Sequence, residues 1–386
     1  LGFLVQTAQA QPPKNSTGSF PVSVVDGDFN GDGITDIAAA NLNADSFTVF
    51  LMGADGELAD TKETWTASGP TSLAVSDING DGIPDILAAC YFDGVVTVHI
   101  GSGDGTFDFG GYCYTGLSPD RVIAADLNGD MNTDAVVANL NDGSISVMPG
   151  DGRGNFQPAG EYGVGAAPRG LCAADFNSDG RLDIAVANSG SDSVTVLLGD
   201  GAGGFMGEVE LSAGSSPRDI AAADLDGDGN QDIVVSYADG TFVSAFLGRG
   251  DGTFGRRSDF SAGRGARGLT VADFNGDGIP DLAFTDIVDG LISVLLGNGD
   301  GSFRFSSTNT AGLAPRGLQA VDINGDGLPD IVYSATAENM VSSLINTGGE
   351  DGGPDFTSGQ AHEAAYAPEP RSDKYYGPGQ EDENSE

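Results

Sequence analysis

The sequence predicts an all-β protein, a seven-bladed β-propeller of four-stranded antiparallel blades. An acidic nonapeptide recurs with its first aspartate at Asp28, Asp77, Asp126, Asp175, Asp224, Asp273 and Asp322, an unbroken spacing of 49 residues. A fixed period of about 50 residues with several short apolar runs per unit marks a radial or stacked repeat, in which no unit buries its hydrophobic face alone. The runs beside the nonapeptide, such as LAVSDI before it and PDILAAC after it, are short, rich in small and β-branched residues, and bounded by Gly or Pro. That composition is a strand signature.

The elements of one unit follow in order. In the sixth unit the pattern gives a first strand over 268–274, the acidic loop, a second strand over 282–285, and a turn at 288–290. A third strand over 291–296, a Gly-rich loop and a fourth strand from Phe303 complete it. Seven such sheets, set radially, bury their faces on one another and leave only short protected edges. The residue before each first aspartate is mostly small (Gly27, Ser76, Ala125, Ala174, Ala223, Ala272 and Val321), as inner strands crowding an axis require. The propeller is expected over 20–368, with a segment over 1–19 before it and a polar, acidic tail of disordered composition over 369–386 behind it. Two closures of the ring are compatible with the sequence. Residues from Phe356 repeat the step from a fourth-strand Phe to the next Pro seen between Phe303 and Pro315, so blade seven can supply its own outer strand. The rival is an N-terminal strand over 9–20, against which Pro12 and Pro13 argue.

Oxygen-bearing side chains recur at positions 1, 3, 5 and 9 of the nonapeptide, and this is calcium chemistry. A hard divalent cation takes six to eight oxygen ligands at about 2.3–2.6 Å, and alternate residues of a tight loop can aim carboxylates, an Asn oxygen and a backbone carbonyl at one point. The candidate ligands are Asp28, Asn30, Asp32 and Asp36 in the first loop, Asp77, Asn79, Asp81 and Asp85 in the second, and Asp126, Asn128, Asp130 and Asp134 in the third. The fourth loop offers Asp175, Asn177, Asp179 and Asp183, the fifth Asp224, Asp226, Asp228 and Asp232. The sixth has Asp273, Asn275, Asp277 and Asp281, the seventh Asp322, Asn324, Asp326 and Asp330. Up to seven structural Ca²⁺ ions are expected. Gly33 and its counterparts at position 6 permit the positive φ that wraps the chain around an ion. An EF-hand needs a Glu at position 12 between helices, where the first copy has Ala39 in a strand-like run. In the third loop Met131 takes position 6, where a side chain at positive φ costs about 1–2 kcal/mol, which makes that site the weakest. Ser178 lies outside the ligand set, and Asp226 adds a carboxylate where the other loops have Asn, so both of those loops keep their site.

These loops, together with phrases such as GSGDGTF ending at Phe107 and GNGDGSF ending at Phe303, make the chain resemble FG-GAP (VCBS-like) repeat proteins. It is similar to the seven-bladed head of integrin α subunits and to many secreted bacterial repeat proteins. The resemblance implies a calcium-stabilised extracellular propeller, often used for adhesion or ligand binding. It implies no one partner, because function lives in sites grafted on a fold.

Composition agrees with an extracellular calcium protein: 57 acidic against 16 basic residues give a net charge of −41. Nucleic acid is excluded as a partner, since phosphate binding needs basic patches. The start of the chain, LGFLVQTAQAQ, resembles the tail of a cleaved secretory signal, so a secreted or cell-surface location is expected. Asn15-Ser16-Thr17 is a glycosylation sequon in a eukaryotic source. No run reaches the roughly 18 apolar residues of a transmembrane helix. Cys90, Cys113 and Cys172 show no metal spacing and read as small core residues, with a Cys90–Cys113 disulfide the minor alternative.

Strands alternate in direction, so the acidic loops share a face with the loops between third and fourth strands, including Asp55, Asp104, Asp251 and Asp300. Function is expected on the opposite face, where the repeats are unequal. The residue after the Pro of each connection between a fourth strand and the next first strand (Ala266 in blade six) is Arg169, Arg218, Arg267 and Arg316 in blades four to seven, but Val22, Thr71 and Asp120 in blades one to three. Such an arc near the axis could grip a carboxylate or sulfate through paired, charge-assisted hydrogen bonds, or each Arg could pair with the next blade. Blade two has Cys90, Tyr91 and Phe92 where other blades have Asn41, Asn139 and Asn188. An exposed aromatic there could stack on a sugar or anchor a protein, and burial between blades is the alternative. Arg249-Gly250-Asp251 spells an adhesive tripeptide in a loop where Gly and Asp recur anyway. The expected function is a binding or adhesion module for an extracellular protein or glycan, the glycan possibility including anionic ones. Only His99 and His362 exist, and GxSxG, HExxH and Walker motifs are missing, so an enzyme is disfavoured. The surviving alternative is a polysaccharide lyase or glycosidase acting on an acidic glycan with Arg and Tyr.

Overall fold

The computed structural model describes residues 19–54, 56–349 and 353–364. These form seven four-stranded sheets, each ordered as the chain runs, with antiparallel neighbours. The first blade comprises Pro21–Gly27, Asp36–Asn41, Ser46–Met52 and Leu58–Trp65. The inner strands of the others are Pro70–Ser76, Pro119–Ala125, Pro168–Ala174, Pro217–Ala223, Ala266–Ala272 and Pro315–Val321. Second strands such as DILAAC are buried along their whole length, because both faces lie against neighbouring blades. Fourth strands such as Phe205–Ser212 alternate between half-buried and exposed residues, as the outer edge of a sheet should.

The first strand of blade six runs over Ala266–Ala272 rather than 268–274. It stops before Asp273 because that carboxylate accepts the N–H groups of Asp277 and Gly278 and bends the chain away from the ladder. At the other end the chain enters every inner strand through a left-handed residue. These are Phe20, Gly69, Ser118, Ala167, Ser216, Gly265 and Ala314, with φ between +52° and +76°.

Ring closure follows the first of the two routes. Phe356–Glu363 pairs with Met340–Asn346, so blade seven supplies its own outer strand. Blades seven and one then share a core of Val321, Ile323, Val332 and Val341 with Val24, Ile37, Phe50 and Met52. Thr336 Oγ1 donates to the Pro21 carbonyl, and the Phe20 N–H donates to Asn339 Oδ1, tying the junction. The expected secretory remnant and sequon, Asp55, and the tail over 369–386 lie outside the described residues.

Cys90, Cys113 and Cys172 are free thiols, so the Cys90–Cys113 disulfide does not form. His99 is a core residue packed edge-on against Phe47 at 5.1 Å, and burial depresses its pKa to about 3, so it stays neutral. Among the described residues no helix is long and apolar enough to cross a membrane.

Candidate functional site

The seven acidic loops stand at the ends of the inner strands and close on themselves. In the first, the Asp28 carboxylate accepts the N–H groups of Gly31 (2.8 Å), Asp32 (3.1 Å) and Gly33 (2.9 Å). Asp32 in turn accepts the Ile34 N–H at 2.8 Å and the Asn30 side-chain amide at 3.0 Å. The third loop keeps this form. Met131 adopts φ +68° and donates its N–H to Asp126 Oδ2 at 2.9 Å, so the positive φ inferred for that position is real.

The position-9 aspartate does a second job that the spacing alone does not reveal. Asp36 is fully buried, with Oδ2 accepting the Phe29 N–H (3.1 Å) and Oδ1 accepting the Met52 N–H at the end of the third strand (2.8 Å). The same pair of bonds recurs at Asp85, Asp134, Asp183, Asp232, Asp281 and Asp330. Burial, aided by the aspartates of the same loop, pushes the carboxyls of Asp36, Asp232, Asp281 and Asp330 up to about 6. A carboxylate oxygen with one lone pair engaged keeps another for a ligand.

Between positions 1 and 9 lies the anchor that fixes each loop. Phe29, Ile78, Leu127, Phe176, Leu225, Phe274 and Ile323 at position 2 are all buried between blades. The Phe of the following unit's Gly-rich phrase packs on it: Phe107 meets Phe29 at 5.7 Å and Phe254 meets Phe176 at 5.6 Å, both edge to face. Backbone joins the same places, since Gly105 N–H donates to the Phe29 carbonyl and Gly301 N–H to the Leu225 carbonyl. Each acidic loop and the next blade's Gly-rich loop therefore form one joint on one face of the disc. Arg249-Gly250-Asp251 is an ordinary member of this set, with the Asp251 carboxylate bonded to the N–H and hydroxyl of Thr253.

The donors fit a hard cation: all are carboxylate or amide oxygens, with no nitrogen or sulfur among them. In the fifth loop one oxygen from each of Asp224, Asp226 and Asp232 falls within 4.8 Å of the other two. Asp228 is turned aside, bonded to the Asn230 N–H (2.8 Å) and side-chain amide (2.9 Å). The fit is thus partial without an ion, and position 5 would have to swing inward to complete it.

The arginines gather at the other end of the inner strands. Seven residues of strand separate the two faces, roughly 20 Å at about 3.3 Å per residue. There a cavity of about 370 Å³ on the propeller axis is lined by Arg169, Arg218, Arg267 and Arg316, together with Asp120 and Arg121. Gly170 and Gly317 let neighbouring inner strands approach so closely that a Cβ would meet the next backbone at 2.9–3.1 Å. That crowding concentrates the charges. Asp120 binds two of the arginines at once, Arg169 at 3.1 Å and Arg218 at 3.2 Å. Arg121 faces Asp219 at 3.6 Å. Pairing thus occurs for Arg169 and Arg218, but with blade three, one and two blades back, rather than with the next blade. Arg267 and Arg316 each have a buried Nε with no hydrogen-bond partner, and Arg316 stacks over the Phe20 ring at 5.0 Å. Burial, then the neighbouring Arg218 and Arg316, lowers the Arg267 pKa to about 10.

Tyr91 and Phe92 line the same cavity, edge to face at 5.3 Å. The burial alternative fails for Phe92, which is 66% exposed at the tip of its turn, while Tyr91 is half-buried. Arg121 and Asp219 were not singled out by sequence, because the comparison between blades rested on the second strand position and these occupy the third.

The FG-GAP-like repeat family matches the chain in six overlapping windows, residues 28–88, 77–137, 126–186, 175–235, 224–284 and 273–333. No curated protein matches the sequence. The fold is shared with a putative 6-phosphogluconolactonase of Bacteroides fragilis NCTC 9343 (TM-score 0.63, 15% identity, 89% of this chain and 95% of that one). It is shared also with the periplasmic gluconolactonase of Pseudomonas aeruginosa (0.62, 16%, 89% and 96%). A third is an Agrocybe aegerita lectin that recognises non-reducing terminal N-acetylglucosamine (0.56, 19%, 87% and 93%). At these identities the likeness shows the fold alone. Repeats spanning 28–333, each with its acidic loop at the end of an inner strand, decide the family: the chain belongs to the FG-GAP-like repeat proteins.

Proposed function

We propose that the protein is a calcium-stabilised binding module of the extracytoplasmic space that holds its ligand at the axial mouth. The observation that carries this reading is the cavity itself, where polar, charged and aromatic side chains from several blades converge on a single concave site. The acidic loops sit on the opposite face and serve the scaffold: each ion draws positions 1, 3, 5 and 9 together and clamps the joint between two blades. Extracellular modules hold calcium with Kd of about 10⁻⁴–10⁻³ M, which suits millimolar calcium outside cells. A propeller lectin among the structural neighbours supports a glycan as the ligand class.

A glycan array probed with the intact protein, with and without calcium, tests the reading. Saturable binding that Phe92→Ala weakens at the mouth is the expected result. Release of shortened or unsaturated sugar products would instead make the mouth an active site, and binding unaffected by substitution at Phe92 or Arg267 would place the ligand elsewhere.

A further inference from the structure

The mouth holds a charge the rest of the chain does not. Its lining carries five arginines (Arg121, Arg169, Arg218, Arg267 and Arg316) and two aspartates (Asp120 and Asp219), in a chain of net charge −41. The two aspartates are committed. Asp120 is shared by Arg169 and Arg218, and Asp219 faces Arg121 while also accepting the Leu269 N–H of the next blade at 3.2 Å. Arg267 and Arg316 are left facing the cavity with no carboxylate of their own. A half-buried cation without a carboxylate partner is costly, and low-dielectric walls focus its field outward. Either a bound anion compensates it or the fold carries the cost without gain.

We propose that Arg267 and Arg316 bind the carboxylate of an acidic sugar residue, whose ring lies against Phe92. This rests on the reading of the mouth as the ligand site. A guanidinium presents its N–H groups as a planar fork that matches a carboxylate, and Arg keeps its charge at any working pH. Arg316 has one face covered by Phe20, so its edges are what it offers the cavity. A cavity of about 370 Å³ accommodates one or two sugar units, and the exposed Phe92 ring on its wall gives the flat apolar surface on which a pyranose stacks. Asp120 sets the strength of the site: it offsets one of the two charges of Arg169 and Arg218 and engages both guanidinium groups, which leaves those of Arg267 and Arg316 for the ligand.

The test is calorimetric titration of the calcium-loaded full chain with trigalacturonate, its fully methyl-esterified counterpart and hexaglutamate. Trigalacturonate is expected to bind, and the ester, equal in shape but uncharged, to bind at least about 10-fold more weakly. Arg267→Gln and Arg316→Gln each lower affinity about 10- to 100-fold, as loss of a charge-assisted bond should. Asp120→Asn frees two more guanidinium groups and raises affinity several-fold, a gain that a misfolded variant cannot give. Equal binding of acid and ester, lost in Phe92→Ala, leaves the binding module standing and overturns the carboxylate. Binding of hexaglutamate with the same arginine dependence and no binding of trigalacturonate makes the ligand an acidic peptide and overturns the sugar. Failure of all three probes, together with an array blank for neutral glycans, overturns the binding module as well.

Discussion

Met131→Gly is the sharpest single perturbation of the acidic loops. Position 6 is Gly in the other six copies, with φ between +81° and +88°, and Met131 is forced to +68°. Its side chain is 92% exposed, so the substitution removes no packing, and its N–H bond to Asp126 is a backbone bond that Gly retains. Relief of the left-handed strain is worth about 1–2 kcal/mol. The greater freedom of Gly in the unfolded chain takes back about 0.4–1 kcal/mol. The net gain is about 0–1.6 kcal/mol, with a midpoint of about 0.8 kcal/mol. With an unfolding entropy of about 2.1 cal/mol/K per residue over roughly 340 residues, Tm rises by about 1 °C. Differential scanning calorimetry in saturating calcium measures it, with Met131→Ala as a control that keeps the strain and leaves Tm within about 0.3 °C. A lower Tm for Met131→Gly would refute the claim that backbone strain distinguishes the third loop.

Other outcomes follow from the packing and the buried charges. Phe176→Ala empties the joint between blades four and five, where the ring is 1% exposed and packs on Phe254, and should cost about 3–5 kcal/mol. Phe305→Ala, 63% exposed, should leave the denaturation midpoint unchanged; equal effects of the two would remove position 2 as an anchor. Glu63 accepts bonds from Thr48 Oγ1 at 2.6 Å and from Ser46 Oγ, yet burial outweighs them and raises its pKa from 4.5 to about 6. A raised carboxyl favours the folded state below pH 4.5 and loses that advantage as pH climbs to about 6. Relative to Glu63→Gln, the wild type should therefore lose about 2 kcal/mol of unfolding free energy between pH 4 and pH 7.5, and a flat difference across that range would contradict the assignment.

Much of the fold was legible because the repeat is strict. The period located the loops, the small residue before each aspartate located the inner strands, and the recurring Gly-rich phrase located the start of the fourth strand. The structure adds why the loop and the phrase travel together: the Phe closing one packs on position 2 of the preceding loop, as Phe107 does on Phe29. The double duty of the position-9 aspartate was hidden, since its partner at the end of the third strand, Met52 for Asp36, carries no side-chain signal in a backbone N–H bond. At the mouth, the arginine arc was readable from strand position, but its division was not. Asp120 reaches Arg218 across 98 residues and two blades, a contact that exists only because the ring curves back on itself. Phe92 was singled out, but its exposure was not readable, because its strand ends at Cys90 and a turn tip has no face that periodicity can assign.

The claim on which the scaffold reading depends is that the loops bind calcium and that this binding holds the blades together. Calorimetry of the intact chain in about 2 mM calcium and then in excess EDTA tests it directly. At Kd of about 10⁻⁴–10⁻³ M each site contributes about 0.6–1.8 kcal/mol, so seven sites give about 5–12 kcal/mol. At about 0.7 kcal/mol/K for a body of this size, Tm in calcium should stand about 6–17 °C above Tm in EDTA. Superimposable melting curves in the two solutions would contradict the account.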